Sequence, residues 1–506
     1  MSIQIPESWR IKLGTKYLDF VEKLPQFGGG RIAQLQELRQ FQRREAEEAF
    51  NGSRPPDGAT LEVRTLRLIE LFHLEDFDQL RTGLNQLFPE FENKFGISNV
   101  SETITAFTDE IGPGGRAEVG TIRRGGKDAW FSVGLCCNMA ELPVEVSYIS
   151  LAIHKFLSSS VILTFDVHLT EIARQQVAEL QNKYYLPVVK FRGLLPFGKG
   201  FLHSVASPFS GASDQMELWQ DDLRRRIEGC VSPYLKGYFL GEDATDTATL
   251  PAIEIFVLRG APTVKKEFQE WRERGRRWWE WLGFRFSFDT YESERALFVW
   301  ADKDSLRQAP HRLVIVADPL SKEDNVDYRP RFVLRGLAAG IAVWELLNLM
   351  EDRVARLRKD VFVKRGVWGA PHRHVPISLQ LSHQLRRESM LLDRVLNDFE
   401  QGASWIKILL AKDAGLEKMF AVLGKNPEPL SNTILFSIRT RAERLRKHVG
   451  IINSYFADYL TGKNMEITFL LQRRMLWLAI IATAATVLSA LPYWHTIQEW
   501  SKKLLP

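Results

Sequence analysis

The sequence predicts an α/β cytosolic body followed by an α-helical stalk and a single C-terminal transmembrane helix. Three observations predict it. From Met475 to Gln498 the chain reads MLWLAIIATAATVLSALPYWHTIQ, without one Asp, Glu, Lys or Arg. β-Branched runs alternate with helical stretches between Arg116 and Asp318. A heptad spacing of apolar residues precedes the uncharged segment. About 20 apolar residues in a helix cross the hydrocarbon core of a bilayer, so the uncharged run is read as a membrane span.

The 506 residues suffice for two or three domains of about 100 to 200 residues each. Hydrophobic residues make up 45% and charged residues 25%, a globular balance that argues against extended disorder. A net charge of +5 carries no specific nucleic-acid signal, which needs a concentrated basic face. The three cysteines, Cys136, Cys137 and Cys230, form no even framework, which points to a reducing compartment. The opening MSIQIPESWRIKLGTKY has no apolar core of signal-peptide length, so the bulk of the chain is expected in the cytoplasm.

The segment 1–110 is expected to be helical. Ile32, Leu35, Leu38 and Phe41 share one side of a first helix, and NGSRPPDG from Asn51 to Gly58 is a loop. A second helix is expected over LEVRTLRLIELFHLEDFDQLRTGLNQLF, from Leu61 to Phe88.

The region 111–240 is expected as α/β with antiparallel strands. RAEVGTIRR and DAWFSVG flank Gly125-Gly126, a hairpin signal, and VEVSYISLAIHKF and VILTFDVHL flank three serines. Helices are expected from Thr170 to Tyr184 and from Ser213 to Gly229. After the polar linker GEDATDTATL, residues 251–330 form a second α/β region or the other half of one larger domain. Strands are expected in AIEIFVL, FRFSFDTY, ALFVW and HRLVIVAD, with a helix from Thr263 to Leu282.

Residues 331–474 are predicted as a helical stalk. Leu435, Ile438, Ala442, Leu445, Val449, Ile452, Phe456 and Tyr459 recur in three- and four-residue steps, a heptad seam. The absence of proline between Pro429 and Pro492 allows one helix of about 60 residues, roughly 90 Å long. The membrane helix is placed at 475–494 and carries Met475, Trp477, Leu491, Tyr493 and Trp494, with its aromatic residues near the two interfaces. Residues 495–506 are a short amphipathic tail, with Trp494, Ile497, Trp500 and Leu504 on one side.

Candidate chemistry is sparse. The loop from Gly112 to Asp128 is glycine-rich and basic, but Thr121 and Asp128 stand where a phosphate loop needs Gly and Ser or Thr. Arg123, Arg124 and Lys127 remain as a weak anion-binding set. His372 and His374, one residue apart, are a weak metal-binding pair lacking the third and fourth ligands a site needs. Asp166 and His168 end a strand, where catalytic groups often emerge, yet no nucleophile motif accompanies them and strand-end capping is favoured. The arginine- and tryptophan-rich EWRERGRRWWEWLGF reads as an amphipathic helix burying its aromatic side. No catalytic residue and no cofactor is named by any of these patterns.

The stretch NMEITFLLQRRMLWLAIIATAATVLSALPYW, with the heptads before it, resembles in plan the CorA-type divalent-cation transporters, whose stalk helix becomes the first membrane helix of a homo-pentamer. The family's Gly-Met-Asn signature is absent, with Leu491-Pro492-Tyr493 in its place, and about a dozen residues remain where a second membrane helix would follow. The functional expectation is a membrane-anchored, cytosol-facing sensor or effector that associates as a homo-oligomer through its stalk, with a CorA-like pore as a further step. The alternative is a membrane-tethered enzyme with its site in the α/β body.

Overall fold

A computed structural model describes residues 16–21, 23, 31–52, 55–88, 115–124, 135–157, 160–183, 185, 188–191, 202–206, 208–241, 250–281, 286–293, 296–302, 311–317, 338–356, 359, 383, 386–387, 389–398, 417–418, 430–490, 494 and 498–501. The chain divides into two compact units, Met1–Leu346 with Val395–Arg439, and Leu347–Arg394 with Thr440–Pro506.

The first unit is a mixed α/β body. In chain order it contains α1 (Arg31–Gly52), β1 (Thr60–His73), α2 (Phe77–Leu87), β2 (Arg116–Arg123), β3 (Leu135–Asn138), β4 (Val146–Leu157) and β5 (Ser160–Leu169). There follow α3 (Glu171–Gln181), β6 (Val188–Phe191), β7 (Leu202–Ala206), α4 (Pro208–Val231) and β8 (Ala252–Arg259). Next come α5 (Lys265–Arg274), α6 (Arg276–Trp281), β9 (Phe286–Ser293), β10 (Ala296–Asp302) and β11 (His311–Ala317). Helices α7 (338–356) and α8 (389–398) cross the boundary between the units, as does α9 (Leu430–Ala490), and β12 (Glu417–Lys418) lies between α8 and α9.

Ten strands form one sheet in the order β12-β9-β10-β11-β8-β1-β5-β4-β2-β3, and β6 and β7 form a separate pair. Strands from both sides of the polar linker therefore stand in one sheet, with β8 beside β1. The antiparallel strands expected between Arg116 and Leu169 are present as β2, β4 and β5. Strands β2 and β3 run parallel, and the expected second arm of the hairpin, Asp128 to Gly134, lies outside the described residues. The expected hairpin turn at Gly125-Gly126 lies outside the described residues.

One expectation is overturned. Residues 61–73, read as part of the helical segment 1–110, form most of β1, held antiparallel between β5 and β8. Burial alternates from Thr60 to Thr65 and then runs unbroken to Phe72. A strand inside a covered sheet needs apolar residues on both faces, and Leu66, Leu68, Ile69, Leu71 and Phe72 supply them at spacings that mimic a helix. The helical reading holds from Phe77 to Leu87.

Helix α3 starts where Thr170 accepts a hydrogen bond from the Ala173 amide at 3.4 Å, an N-cap that satisfies one orphan donor. The arginine- and tryptophan-rich segment, expected as one helix, is two helices broken at Gly275; it buries Phe268, Trp271 and Trp278 on the expected apolar side and Trp279 as well, while Val264 is exposed.

The loop after α4 is tied to β1 by an acid. Glu70 is fully buried; its Oε1 accepts from the amides of Leu71 (2.9 Å) and Phe239 (2.8 Å), and its Oε2 from that of Leu240 (2.9 Å). Tyr238 donates its amide to the Leu71 carbonyl at 2.7 Å. Gly237 is required there, because a Cβ would stand 2.4 Å from that same carbonyl oxygen. Burial pushes the Glu70 carboxyl up to about 8, against the backbone donors that favour its charged form.

In the second unit, α9 packs on its own chain. Arg441 pairs with Glu351 of α7 at 3.3 Å and donates to Asn348, while Arg446 meets Asp393 of α8 at 3.2 Å. Helix α9 is 61 residues long, about 92 Å at 1.5 Å per residue, matching the proline-free span.

Candidate functional site

Two features stand out, and the first is on α9. Asn464–Ser489 is the one helical stretch among the described residues long and apolar enough to cross a membrane, and none of it is buried. Met475, Leu476, Trp477, Leu478, Ile480, Ile481, Val487 and Leu488 are all exposed. An apolar surface of this extent marks an interaction site rather than scattered surface residues. Its hydroxyls are satisfied within the helix: Thr483 donates to the Ala479 carbonyl, Thr486 to Ala482 and Ser489 to Thr486, each at 2.8 Å. Trp494 is exposed as well, while Leu491 and Tyr493 lie outside the described residues.

The seam upstream has a different setting. Ile438, Ala442, Leu445 and Val449 are buried within the chain itself. Leu435 and Ile452 are half-buried, and Phe456 and Tyr459 continue the helix.

The second feature is the chemistry of the ten-stranded sheet. Residues directly opposite on neighbouring strands share a face. On one face β1 presents Leu66, Leu68, Glu70 and Phe72, and β5 presents Val161, Leu163, Phe165 and Val167, an apolar surface broken by Glu70. Arg312 and Glu254 belong to this face too, paired at 2.8 Å on parallel strands, and Glu217 of α4 lies 3.8 Å from Arg312. Helix α4 therefore covers it. Burial pushes the Glu254 carboxyl up, against the pull of Arg312.

The opposite face changes character along the sheet. Over β8 and β11 it carries Ile253, Ile255, Val257, Leu313 and Ile315, with His311 held 3.2 Å from Glu345 of α7. From β1 to β2 it turns polar. One row crosses Arg67, Asp166, Ser150 and Thr121, and the next crosses Thr65, His168, Tyr148 and Arg123.

Within these rows, Arg67 grips Asp166 through Nε–Oδ1 at 2.5 Å and Nη2–Oδ2 at 2.7 Å. The third nitrogen of the guanidinium, Nη1, is buried and has no hydrogen-bond partner among the described residues. Tyr148 and His168 stack with ring centroids 4.1 Å apart and planes inclined by 17°. Nearby, the Thr164 hydroxyl donates to the Ala152 carbonyl at 3.3 Å, which leaves it to accept from His154 Nε2 at 3.1 Å. Arg67, Asp166, His168 and His154 are buried, whereas Thr121, Arg123, Tyr148 and Ser150 are half-exposed.

The sheet thus brings Arg123, named in the weak anion set, onto the same polar face as Asp166 and His168. Arg124 lies just beyond β2 and is exposed, and Lys127 falls outside the described residues. So do His372 and His374. Among the described residues, no group of three or more His, Cys, Asp or Glu is arranged to hold a metal ion. Arg67 is hidden at the level of sequence, because the strand that carries it has apolar spacings that mimic a helix. The alternation of Tyr148, Ser150 and His154 with apolar residues was the available signal.

No protein-family model matches the chain, and no curated protein matches it.

Proposed function

We propose that the chain is a membrane-anchored protein whose sheet-bearing body faces the cytosol and whose last helix holds it to a bilayer in a single pass. The observation that carries this reading is the wholly exposed apolar surface of α9 from Met475 onward, with its hydroxyls bonded inside the helix. A lipid core offers no partner to an unsatisfied polar group, so internal satisfaction suits that surroundings. Arg473 and Arg474 precede the uncharged run and fit the level of the lipid phosphates, where long basic side chains reach back to water.

Sensing or effector activity belongs to the body in this reading. Self-association falls to the part of α9 beyond Gly450, since Ile438 to Val449 is already occupied by the chain itself. The small residues Ala479, Ala482, Ala484, Ala485, Ser489 and Ala490 favour close helix approach there. A CorA-like ring is the extended form of this reading. Its support is a helix that continues without a break from the body into the apolar window.

The test is fractionation of lysed cells. Full-length protein is expected in the membrane pellet, resistant to alkaline carbonate and released by detergent, while a chain ending at Arg474 stays in the supernatant. Full-length protein in the supernatant without detergent overturns the anchor. A clean monomer in detergent overturns the ring and leaves the anchor standing.

A second reading, a membrane-tethered enzyme, is favoured by one observation: the polar face that gathers Arg67 of β1, Asp166 and His168 of β5 and Arg123 of β2.

A further inference from the structure

We propose that the second unit carries a binding surface for the sugar-phosphate backbone of a nucleic acid, built from basic residues of its helices ahead of the apolar window. This goes beyond the anchor reading and does not rest on it, because the surface lies on the part of α9 that precedes the uncharged run.

Charge is divided unevenly between the two units. The second carries 19 Lys and Arg against 9 Asp and Glu, net +10, and the first 48 against 53, net −5. The +5 of the whole chain therefore hides a strongly basic part. Ahead of Ile451 the second unit holds 14 Lys and Arg against 6 Asp and Glu, and 11 of the 14 are arginine. Like charges gathered in a small unit repel one another, and a bound polyanion relieves that repulsion.

Packing brings several of these cations together. Arg441 meets Glu351 at 3.3 Å and Arg446 meets Asp393 at 3.2 Å, which ties α9 to the end of α7 and to α8. Arg394 and Lys447, next in sequence to the second pair, are exposed beside that junction. Arg356 and Lys359 at the end of α7, Arg386 just before α8, and Arg444 on α9 are exposed too. At about 100° per residue, Arg444 and Lys447 stand about 130° and 170° from the centre of the buried stripe of Ala442, Leu445 and Val449. Glu443 is the one acid of α9 between Thr440 and Gly450.

Position and chemistry select the partner. Lys447 lies 17 residues before Asn464, where the apolar window opens, about 26 Å along the helix. Exposed charges are screened beyond about 10 Å, so the headgroups of a bilayer crossed upright at that window are out of reach of this patch. A polyanion in the water phase is left. Guanidinium groups hold phosphate oxygens through paired hydrogen bonds, which the preponderance of arginine favours. A nucleic acid presents phosphates at close, regular spacing, so cations on neighbouring helices meet several at once and release the condensed counterions. Contacts of this kind position the strand without reading its sequence.

The experiment uses full-length protein in neutral detergent micelles and the fluorescence anisotropy of a labelled single-stranded RNA, with single-stranded and duplex DNA of the same length. Saturable binding in the micromolar range is expected at ~50 mM salt, weakening about fiftyfold or more by ~200 mM as about four phosphates are engaged. The probe that binds tightest tells RNA from DNA. Arg444→Gln with Lys447→Gln is expected to weaken binding about tenfold and to lower the salt slope by about two. Lys183→Gln, an exposed change on the first unit, is expected to leave both unaltered. If the paired variant melts early, Arg356→Gln with Lys359→Gln takes its place. Absence of binding at ~50 mM salt overturns the proposal, as does full affinity in the folded paired variants. Poly-glutamate and short-chain phosphatidylserine are the competitors. Displacement by either at a lower charge concentration than by unlabelled nucleic acid assigns the surface to acidic protein or to lipid, and overturns it as well.

Discussion

Arg67 and Asp166 stand directly opposite each other on β1 and β5 and join through two hydrogen bonds, although 99 residues separate them in the chain. Both are almost wholly buried. Removing one partner strands the other charge inside the sheet. Asp166→Ala is therefore expected to destabilise the body by about 3 to 5 kcal/mol. Removing both charges with Arg67→Met and Asp166→Leu is expected to recover much of that loss. Denaturant midpoints of the unaltered chain, Asp166→Ala and the paired variant check this, and equal losses for the two variants would refute it.

Glu70 makes stability depend on pH in an unusual direction for a carboxylate. Its folded pKa of about 8 lies above the ordinary 4.5, so the folded state holds a proton that the unfolded state releases. Stability linked to this group is full below about pH 4.5, falls as pH rises through the window to 8, and stays low beyond it. The readout is hydrogen exchange at the Phe239 and Leu240 amides, which should speed up across that window more than the intrinsic rate does. A flat protection profile between pH 5 and 8 contradicts the assignment.

Gly237→Ala tests the same junction by shape. The new methyl would meet the Leu71 carbonyl oxygen at 2.4 Å and the Glu70 side chain at 2.7 Å, both in fixed backbone or buried positions. A loss of about 1 to 3 kcal/mol is expected from forced displacement in a tightly packed site. Gly450→Ala, with nothing within 4 Å of the added Cβ, is the control and should be neutral or slightly stabilising on the helix.

Leu445 is buried where α9 packs on its own chain, so Leu445→Ala is expected to cost about 2 to 5 kcal/mol by leaving a cavity. Limited proteolysis around residues 350–395 reports the loosening. Arg446→Ala, at a largely exposed pair with Asp393, is expected to change stability by less than about 1 kcal/mol.

A charge placed on the exposed apolar surface of α9 should act on location and leave the body folded. Ile481→Arg introduces a residue that costs about 2.5 to 3.5 kcal/mol at the centre of a membrane helix. Its share in the carbonate-resistant pellet is expected to drop while the far-ultraviolet circular dichroism of the body is unchanged. A pellet share equal to that of the unaltered chain would count against lipid contact at this residue.

Elements whose residues repeat a simple period were legible in the sequence. The proline-free run from Leu430 to Ala490 is one helix, and the β-branched runs before and after Ser160 are β4 and β5. β1 was not legible, because a central strand replaces alternation with a continuous apolar run, and leucine-rich runs of that kind fit both periods. The loss of β1 hid the site as well. Arg67 has no meaning on a solvent-facing helix and acquires one only when strand pairing sets it against Asp166. Whether a seam faces its own chain or another is likewise absent from periodicity: Leu445 and Val449 obey a heptad in either case.

Because α9 passes from Leu445 to Ser489 without interruption, the azimuth of every exposed apolar side chain near its end is phased to the buried stripe that precedes it. Inserting one alanine after Gly450 would turn the apolar segment by about 100° relative to that stripe, whereas inserting seven would return it to within about 20°. Any property of the chain that survives the seven-residue insertion and fails with the single one is a property of angular phase, carried by a rigid screw rather than by length.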